Sequence, residues 1–377
     1  VPSLKVHPTP LQNALDLARQ ALWLTSPNPR VGCVITAADG TLLGQGHTQR
    51  AGGPHAEIMA LRDATQRGHS VQGATAWVTL EPCAHQGRTG PCCDALAAAG
   101  IGRVVAAMTD PNPLVAGQGM ARLAAAKVQT ETLSPDSDIA RQARELNVGF
   151  FNRMEHGLPW VRLKVAASLD GQTALQNGQS QWITGPQARA DGHAWRARAC
   201  AILTGIGTVL EDDPQLNVRG LEVPRQPHLV VVDSRLDMPL TAKLLDTQGA
   251  GEQARQIWVY TATPDQADKR AALTARGVTV IDCPGTSGKV DLSAMLRDLA
   301  QRQINELHVE AGHKLNGSFI REELVDEFLV YLAPQILGPG QGMAHLPALT
   351  SLSDSVKLAF HDTQRIGPDL RLLLRRA

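Results

Sequence analysis

Three short segments of the sequence contain residue types that bind a transition metal. One imidazole and two thiolates, from His55, Cys83 and Cys92, are ligands that zinc prefers, and a set of three leaves the fourth tetrahedral position open for water. Zinc lowers the pKa of such a water towards neutrality, so the pattern predicts a catalytic zinc site. The segments are Pro54-His55-Ala56-Glu57, Glu81-Pro82-Cys83 and Pro91-Cys92-Cys93.

Hydrolytic deamination also needs a group that carries a proton from water to the leaving amine. Glu57 stands two residues after His55 and is not itself a predicted ligand, so we assign it this role. The order matches the His-x-Glu and Pro-Cys-x-x-Cys elements of zinc deaminases, although eight residues separate Cys83 from Cys92. Either element alone is usually an ordinary helix start or turn, whereas the ordered combination is specific. Cys93 is predicted to be a neighbouring buried thiol, because it points about 100° away around a helix.

Length and composition limit the class of protein. The 377 residues exceed the usual size of one domain, so two domains are expected. A net charge of zero and 3% aromatic residues argue against a nucleic-acid partner. The sequence has no apolar run long enough to span a membrane, and its first residues lack the pattern of a signal peptide. We therefore expect a cytoplasmic protein with reduced cysteines.

Strands and helices alternate along the whole sequence, which predicts the α/β class. In the first part, VGCVIT and TLLGQG indicate a hairpin, and HAEIMALRDATQRG indicates a helix. A boundary near residues 156–159 divides the chain into domains 1–155 and 156–377. In the second domain we predict seven strands with helices between them: WVRLKVAASL, CAILTGIGTVL, HLVVVD, QIWVYT, GVTVID, ELHVE and DEFLVYLAPQIL.

Longer blocks resemble the family of bifunctional riboflavin-biosynthesis deaminase–reductases, the RibD type. The long loop between the two cysteines is a feature of that family. The resemblance implies a cytidine-deaminase-like layered domain followed by a dihydrofolate-reductase-like sheet domain. The blocks are TSPNPRVGCVI, AGGPHAEIMAL, VTLEPCAHQGRTGPCCDALAAAGIGRVVAAMTDPNPLVAGQG, LKVAASLDG, SQWITGPQAR, ILTGIGTVLEDDPQLNVR and LHVEAGHKLNGSFI.

The resemblance also implies two successive reactions on a small phosphorylated pyrimidine. First, 2,5-diamino-6-ribosylamino-4(3H)-pyrimidinone 5′-phosphate loses its 2-amino group as ammonia at zinc. Then NADPH reduces the ribosyl group of the product to a ribityl chain. The identity of the pyrimidine, the sugar reduction and NADPH come from the resemblance alone. The family commonly forms dimers or larger assemblies, so a homo-oligomer is expected.

Further site residues are implied by the resemblance, position by position. Lys164 and Asp212 are candidates for proton movements during the reduction, and Arg196 and Arg219 for holding the ribose 5-phosphate. The substrate contacts are Asn28, His85, Arg88, Ser180, Thr184, Arg196, Leu216, Arg219 and Glu310. The NADP contacts are Ala166, Trp182, Thr208, Asp212, Gly312, His313, Lys314, Leu315, Asn316, Gly317 and Ser318.

Several of these residues have a plainer interpretation. Asn28 stands between prolines, where turn chemistry alone explains an asparagine, and His85 and Arg88 could belong to a solvated loop. The glycine-rich segment 312–318 follows a predicted strand and could cradle phosphates on backbone N–H groups, but such segments are more often ordinary turns.

Three other functions remain open on the residues alone. A nucleoside or tRNA deaminase with a non-catalytic accessory domain would use the same zinc set; the neutral charge and the long inter-cysteine loop argue against it. The second domain could instead be a packing or oligomerisation module, against which the retained Lys164, Thr184, Asp212 and Glu310 argue. A purely structural zinc protein is disfavoured, because only three strong ligands are present.

Overall fold

The computed structural model describes residues 9–84, 90–113, 115–247 and 254–377. The chain divides into two compact units, Val1–Gly157 and Leu158–Ala377. This division falls inside the segment 156–159 in which the sequence analysis places a boundary. In the described part of the chain, no helix is both long and apolar enough to cross a membrane.

Within the described ranges, the first unit forms a five-stranded sheet in the order β2-β1-β3-β4-β5. Strands β1 and β2 form the predicted antiparallel hairpin, and β3, β4 and β5 run parallel. The strands are β1 (Gly32–Thr36), β2 (Leu42–His47), β3 (Thr75–Val78), β4 (Arg103–Ala106) and β5 (Gln129–Thr132). The helices are α1 (Pro10–Gln20), α2 (Ala56–Gln66), α3 (Cys92–Ala98), α4 (Gln118–Ala125), α5 (Asp138–Leu146) and α6 (Val148–His156).

Two glycines of β2 let helix α2 lie directly on the sheet. A Cβ atom at Gly44 would lie 2.3 Å from the carbonyl oxygen of Ala60, and one at Gly46 would lie 2.4 Å from the Cβ of Met59. Any side chain at these positions would push the helix away. The glycines therefore allow close packing of α2, which begins directly after His55 and contains Glu57.

Across the residues described for the second unit, nine strands form one sheet in the order β11-β10-β9-β8-β12-β6-β13-β16-β15. The strands from β11 to β13 run parallel, and β16 and β15 close one edge antiparallel. The sheet strands are β6 (Trp160–Ser168), β8 (Ala201–Gly205), β9 (His228–Val232), β10 (Ile257–Thr261), β11 (Val278–Asp282), β12 (Glu306–Val309), β13 (Glu327–Ala333), β15 (Leu358–Ile366) and β16 (Asp369–Arg376). A separate pair joins β7 (Gln172–Leu175) to β14 (Gly340–Gly342). The helices are α7 (Pro186–Arg198), α8 (Ile206–Asp212), α9 (Ala267–Ala275), α10 (Leu292–Gln301) and α11 (His313–Arg321).

The prediction of seven strands in this unit was wrong in two respects. The described residues include four strands that the sequence pattern did not reveal, β7, β14, β15 and β16. Strand β15 is exposed along most of its length, so it lacks the apolar alternation that identifies a strand. The apolar run CAILTGIGTVL also divides at Gly205 into β8 and α8, because such a run does not distinguish a strand from a buried helix.

A fully buried ion network lies on the central strands of this sheet. Arg162 on β6 donates from Nη1 to Glu306 at 3.1 Å and from Nε to Glu327 at 2.5 Å. All three side chains are at most 2% exposed. The ring of Trp195 lies 4.5 Å from the Arg162 guanidinium. Glu306 also pairs with Arg198, and Glu327 also pairs with Arg375.

Candidate functional sites

The structure brings the three predicted metal ligands of the first unit together. His55 immediately precedes α2, Cys83 follows β3, and Cys92 is the first residue of α3. The Nδ1 atom of His55 lies 3.6 Å from the Sγ atom of Cys83 and 3.4 Å from that of Cys92. All three ligand atoms lie within 4.8 Å of one another.

These distances fit a tetrahedral zinc ion. Bond lengths of about 2.0 Å to nitrogen and 2.3 Å to sulfur imply a nitrogen–sulfur separation of about 3.5 Å at the tetrahedral angle. Both observed separations agree with this value. Cys93 is buried beside the cluster, but its Sγ contacts Asp94 at 3.7 Å. The predicted division between a ligand at Cys92 and a buried neighbouring thiol at Cys93 therefore fits the geometry.

The ends of helices and strands determine the electrostatics of this cluster. The backbone N–H of Cys92, at the start of α3, donates to the Sγ of Cys83 at 3.4 Å. Hydrogen bonds from the Cys92 thiol, His55 and this N–H hold the pKa of Cys83 well below its usual range, although burial opposes them. The positive end of a helix dipole favours a thiolate in the same way. Cys83 therefore favours the thiolate form that metal binding requires, whereas the hydrogen bond with Cys83 and burial raise the pKa of Cys92.

Glu57 lies in the first turn of α2 and is 3% exposed. Burial and the negative charge of Cys83 raise its pKa to about 7, and the positive charge of His55 opposes them. Glu57 also has a side-chain hydrogen bond with Cys92. The structure thus places the predicted proton carrier directly beside a predicted ligand.

Sequence reasoning missed Glu81, which fixes the turn leading to Cys83. Its buried carboxylate accepts backbone N–H groups from Asp110, Gly117, Gly119 and Met120, at 2.9 to 3.2 Å. A Cβ atom at Gly119 would lie 1.9 Å from the carbonyl oxygen of Pro82, so the start of α4 touches the turn itself. The available signal in the sequence for this role was one acidic residue in VTLEPC, shortly after the apolar end of β3.

The predicted substrate contacts of the first unit are placed only in part. Asn28 is partly buried in the loop between α1 and β1, and His85 and Arg88 lie outside the described residues. A cavity of about 760 Å³ lies beside the cluster. Its lining includes Pro54 and Pro91, the residues immediately before two of the predicted ligands.

In the second unit, three predicted residues form a charged cluster. Arg196 on α7 binds Glu310 through two hydrogen bonds of 2.5 and 2.8 Å, and Lys164 Nζ lies 3.9 Å from the same carboxylate. His308, fully buried on β12, lies 3.2 Å from Glu310 and was missed from the sequence. Burial alone would raise the pKa of Glu310, but Arg196 and Lys164 outweigh it and hold that pKa well below its usual value. Burial lowers the pKa of Lys164, with Glu310 opposing.

The segment 215–219 carries two further predicted substrate contacts. Leu216 has a φ of +47° and a buried side chain, and its carbonyl oxygen accepts a hydrogen bond from Arg255. Arg219 is exposed, and its Nη1 donates to Gln215 at 2.9 Å. Two arginines, Arg196 and Arg219, are predicted to bind the substrate phosphate. Of these two, Arg219 has its guanidinium at the surface.

The remaining predicted contacts lie on several elements. Asp212 ends α8 and is exposed; partial burial and the charge of Glu211 raise its pKa. Trp182 is 68% exposed, with the Arg189 guanidinium 4.5 Å from its ring. The others are Ala166 on β6, Thr208 on α8, Ser180 in the segment before α7, and Thr184, which is buried one residue before the N-cap of α7.

The segment 312–318 begins a helix. Gly312 is the N-cap of α11, and no described side chain caps its first turn, so backbone N–H groups there can meet a phosphate. Lys314 in this turn is exposed. Asn316 donates to the carbonyl oxygen of Met343 at 3.0 Å. Gly317 is explained by close packing, because a Cβ there would lie 2.0 Å from the His345 carbonyl oxygen.

Comparison with known proteins agrees with both halves of the fold. Residues 159–372 match the family model of the RibD C-terminal domain. Residues 5–108 match that of the cytidine and deoxycytidylate deaminase zinc-binding region. The α/β class and the two kinds of domain expected from the sequence are thereby confirmed.

Relatives match over nearly the whole chain. The riboflavin biosynthesis protein RibD of Escherichia coli is 43% identical over 97% of this chain and 98% of its own. That of Haemophilus influenzae is 42% identical over 96% of this chain and 95% of its own.

Solved structures agree as well. The structure of Acinetobacter baumannii RibD superposes with a TM-score of 0.86 at 41% identity and covers 98% of both chains. A Thermotoga maritima diaminohydroxyphosphoribosylaminopyrimidine deaminase/5-amino-6-(5-phosphoribosylamino)uracil reductase superposes with a TM-score of 0.83 at 28% identity, with 98% of both chains covered. The chain therefore belongs to the RibD family of riboflavin biosynthesis enzymes, which combine a deaminase domain and a reductase domain.

Proposed function

We propose that the first unit deaminates 2,5-diamino-6-ribosylamino-4(3H)-pyrimidinone 5′-phosphate with zinc. The second unit then reduces the ribosyl side chain of the product to ribityl with NADPH. The observation that carries the proposal is the convergence of His55, Cys83 and Cys92 beside the buried Glu57. The similarity to the Thermotoga maritima deaminase/reductase supports this choice of substrate.

In the deaminase site, His55, Cys83 and Cys92 would hold the metal. Zinc at such a site supplies an activated water as the nucleophile. Glu57 accepts a proton from the attacking water and delivers it to the departing amine. Its burial keeps bulk water away from the carboxyl and makes this proton transfer local. Asn28, His85 and Arg88 remain proposed contacts to the substrate.

In the reductase site, the predicted residues have distinct proposed roles. NADPH supplies the hydride. The first turn of α11, with Lys314, would hold its phosphates, which the uncapped N–H groups of that turn fit. The ribosylamine must open to an imine-like form before it accepts hydride, and Lys164 and Asp212 assist the proton movements. Arg219 binds the substrate phosphate, since Arg196 is already neutralised by Glu310.

The remaining contacts of the reductase site are proposed from the family resemblance. A homo-oligomer likewise stays a prediction. The proposed NADP contacts are Ala166, Trp182, Thr208, Asp212 and the segment from Gly312 through His313, Leu315, Asn316, Gly317 and Ser318. The proposed substrate contacts are Ser180, Thr184, Arg196, Leu216 and Glu310.

The proposal is tested by incubating the purified protein with the diaminopyrimidine ribosylamine phosphate, with and without NADPH. Ammonia and the absorbance of NADPH are recorded together. We expect ammonia in both reactions and NADPH consumption only after deamination. Ammonia without NADPH consumption would contradict the reductase half, and no ammonia from a zinc-replete protein would contradict the substrate.

Removal of the metal should separate the two reactions. Prolonged treatment with a chelator is expected to abolish ammonia release, because the three ligands alone do not activate water. NADPH consumption with substrate that has already been deaminated should continue. Adding zinc back, with magnesium as the control ion, should restore ammonia release only in the zinc sample.

Replacing Asp212 with Asn is expected to lower the rate of NADPH consumption about 100-fold, because the amide cannot exchange a proton in the reaction. The neighbouring Asp213→Asn variant is the matched control, since Asp213 is engaged with Lys243 and should change the rate less than about twofold. Stopped-flow absorbance with deaminated substrate measures both. Unchanged reduction in the Asp212 variant would remove this residue from the mechanism.

A further inference from the structure

His193 lies on α7 one turn before Arg196, so the two side chains share one face of the helix. Both side chains contact the segment 215–219. Nη1 of Arg196 donates to the carbonyl oxygen of Asn217 at 3.1 Å. The Nδ1 atom of His193 accepts the backbone N–H of Arg219 at 3.2 Å. Helix α7 is thereby tied to this segment at two points.

This contact determines which nitrogen of His193 carries the proton. A neutral imidazole has one donor and one acceptor nitrogen, and a protonated ring has two donors. Because Nδ1 accepts, the ring is neutral and its proton lies on Nε2. Burial and the charges of Arg196 and Arg219 together lower the pKa of His193 to about 4, against the charge of Glu310. The ring therefore remains an acceptor at neutral pH.

Neighbouring residues of the same segment are held by other side chains. Gln226 binds both backbone groups of Val218, at 2.8 and 3.1 Å. Arg255 donates to the carbonyl oxygens of Gln215 and Leu216. The backbone N–H of Arg219 is held by His193. The side chain of this same residue carries the exposed guanidinium.

We propose that His193 is a positioning residue of the reductase: its Nδ1 fixes the main chain of Arg219, and Arg219 then presents its guanidinium to the substrate phosphate. The inference rests on the proposed function of the second unit. Among the residues proposed to act on the substrate of the reductase, the three basic side chains Lys164, Arg196 and Arg219 outnumber the two acidic ones, Glu310 and Asp212, so the site favours a phosphate. His193 keeps this charge balance unchanged because it stays neutral.

Two amide variants distinguish the two ring nitrogens. In His193→Asn the amide oxygen can take the place of Nδ1, whereas in His193→Gln the amide reaches the position of Nε2. We expect His193→Gln to raise KM for the deaminated substrate about five- to tenfold, the equivalent of one net hydrogen bond. Its kcat should stay within about twofold. His193→Asn should remain near the wild-type KM.

The kinetic controls are NADPH affinity and ammonia release, which should not change in either variant. Rescue by Gln but not by Asn would overturn the proposal, because it would assign the function to Nε2. A fall in kcat with unchanged KM would also overturn it, since the role would then lie in chemistry and not in phosphate binding.

A measurement without turnover tests the contact itself. In protein labelled with ¹⁵N at histidine and arginine, the Nδ1 signal of His193 should be that of an unprotonated nitrogen at pH 7. Inorganic phosphate should shift the Arg219 amide signal in the wild type and in His193→Asn, and less in His193→Gln. A protonated Nδ1, or an equal shift in all three proteins, would contradict the proposal. Absent NADPH consumption in the wild type would instead contradict the proposed reductase function.

Discussion

Replacing Glu57 with Gln is expected to lower kcat for ammonia release about 1,000-fold. Glutamine keeps the size and hydrogen-bonding atoms of the side chain, but it cannot accept a proton from water and pass it to the amine. The side chain is buried beside Cys92, so no solvent group replaces it directly. Steady-state ammonia release, with zinc content measured by elemental analysis, gives the result.

The controls separate chemistry from folding. The Glu57→Gln protein should bind as much zinc as the wild type and should reduce deaminated substrate at the wild-type rate. Glu131→Gln removes an exposed carboxylate of the same unit, which pairs with Arg103 on the surface, and should release ammonia normally. An effect smaller than tenfold for Glu57→Gln would remove this residue as the proton carrier.

Replacing Arg162 with Met is expected to lower the free energy of opening of the second unit by about 3–5 kcal/mol. The substitution removes Arg162 from both buried carboxylates and leaves the pairs Glu306–Arg198 and Glu327–Arg375. Desolvated negative charge that has lost its main partner is costly, even though methionine fills much of the arginine volume. Amide hydrogen exchange in β6 and β13, followed by mass spectrometry, reports this free energy strand by strand.

The same network predicts that the free energy of opening of the second unit falls at acid pH. Burial would raise the pKa of Glu327, but Arg162 and Arg375 outweigh it and lower that pKa to about 2, against 4.5 when unfolded. A lowered folded-state pKa stabilises the protein above pH 4.5, and this contribution is lost as the pH falls towards 2. The Arg162→Met variant should therefore lose less hydrogen-exchange protection than the wild type as the pH falls from 4.5 towards 2. Arg235→Met, which breaks an exposed pair with Asp237, is the control and should change the free energy by less than about 0.5 kcal/mol. An equal change in the free energy of opening for Arg162→Met and Arg235→Met would contradict the prediction.

Residue type and order predicted that His55, Cys83 and Cys92 would form a cluster, and the structure brings these side chains together. The metal itself stays a prediction. The residues that position the site were not predictable in this way. Glu81 and His193 act through backbone groups distant in sequence, at Gly119 and at Arg219, and only the tertiary structure brings these together. Their residue types alone do not indicate which backbone groups they meet.

The same distinction applies to the fold. Continuous apolar runs predicted the buried parallel strands, because both faces of those strands are covered. It could not reveal β15, whose residues mostly face solvent, nor separate β8 from α8 in one apolar run. The sequence left segment 312–318 open between a phosphate cradle and an ordinary turn, whereas Gly317 lies inside helix α11, where a Cβ would meet the His345 carbonyl oxygen.

The three proposed metal ligands come from three separate parts of the chain, and His55 and Cys92 are 37 residues apart. No short stretch of the chain can therefore bind the ion well before the first unit has folded. A metal that binds only the folded form adds its binding free energy to the folding equilibrium, so that depletion of the ion shifts the population towards open forms. Open forms are the ones that proteases cut. In a cell short of zinc, we therefore expect the protein to be degraded faster as well as to lose its deaminase activity.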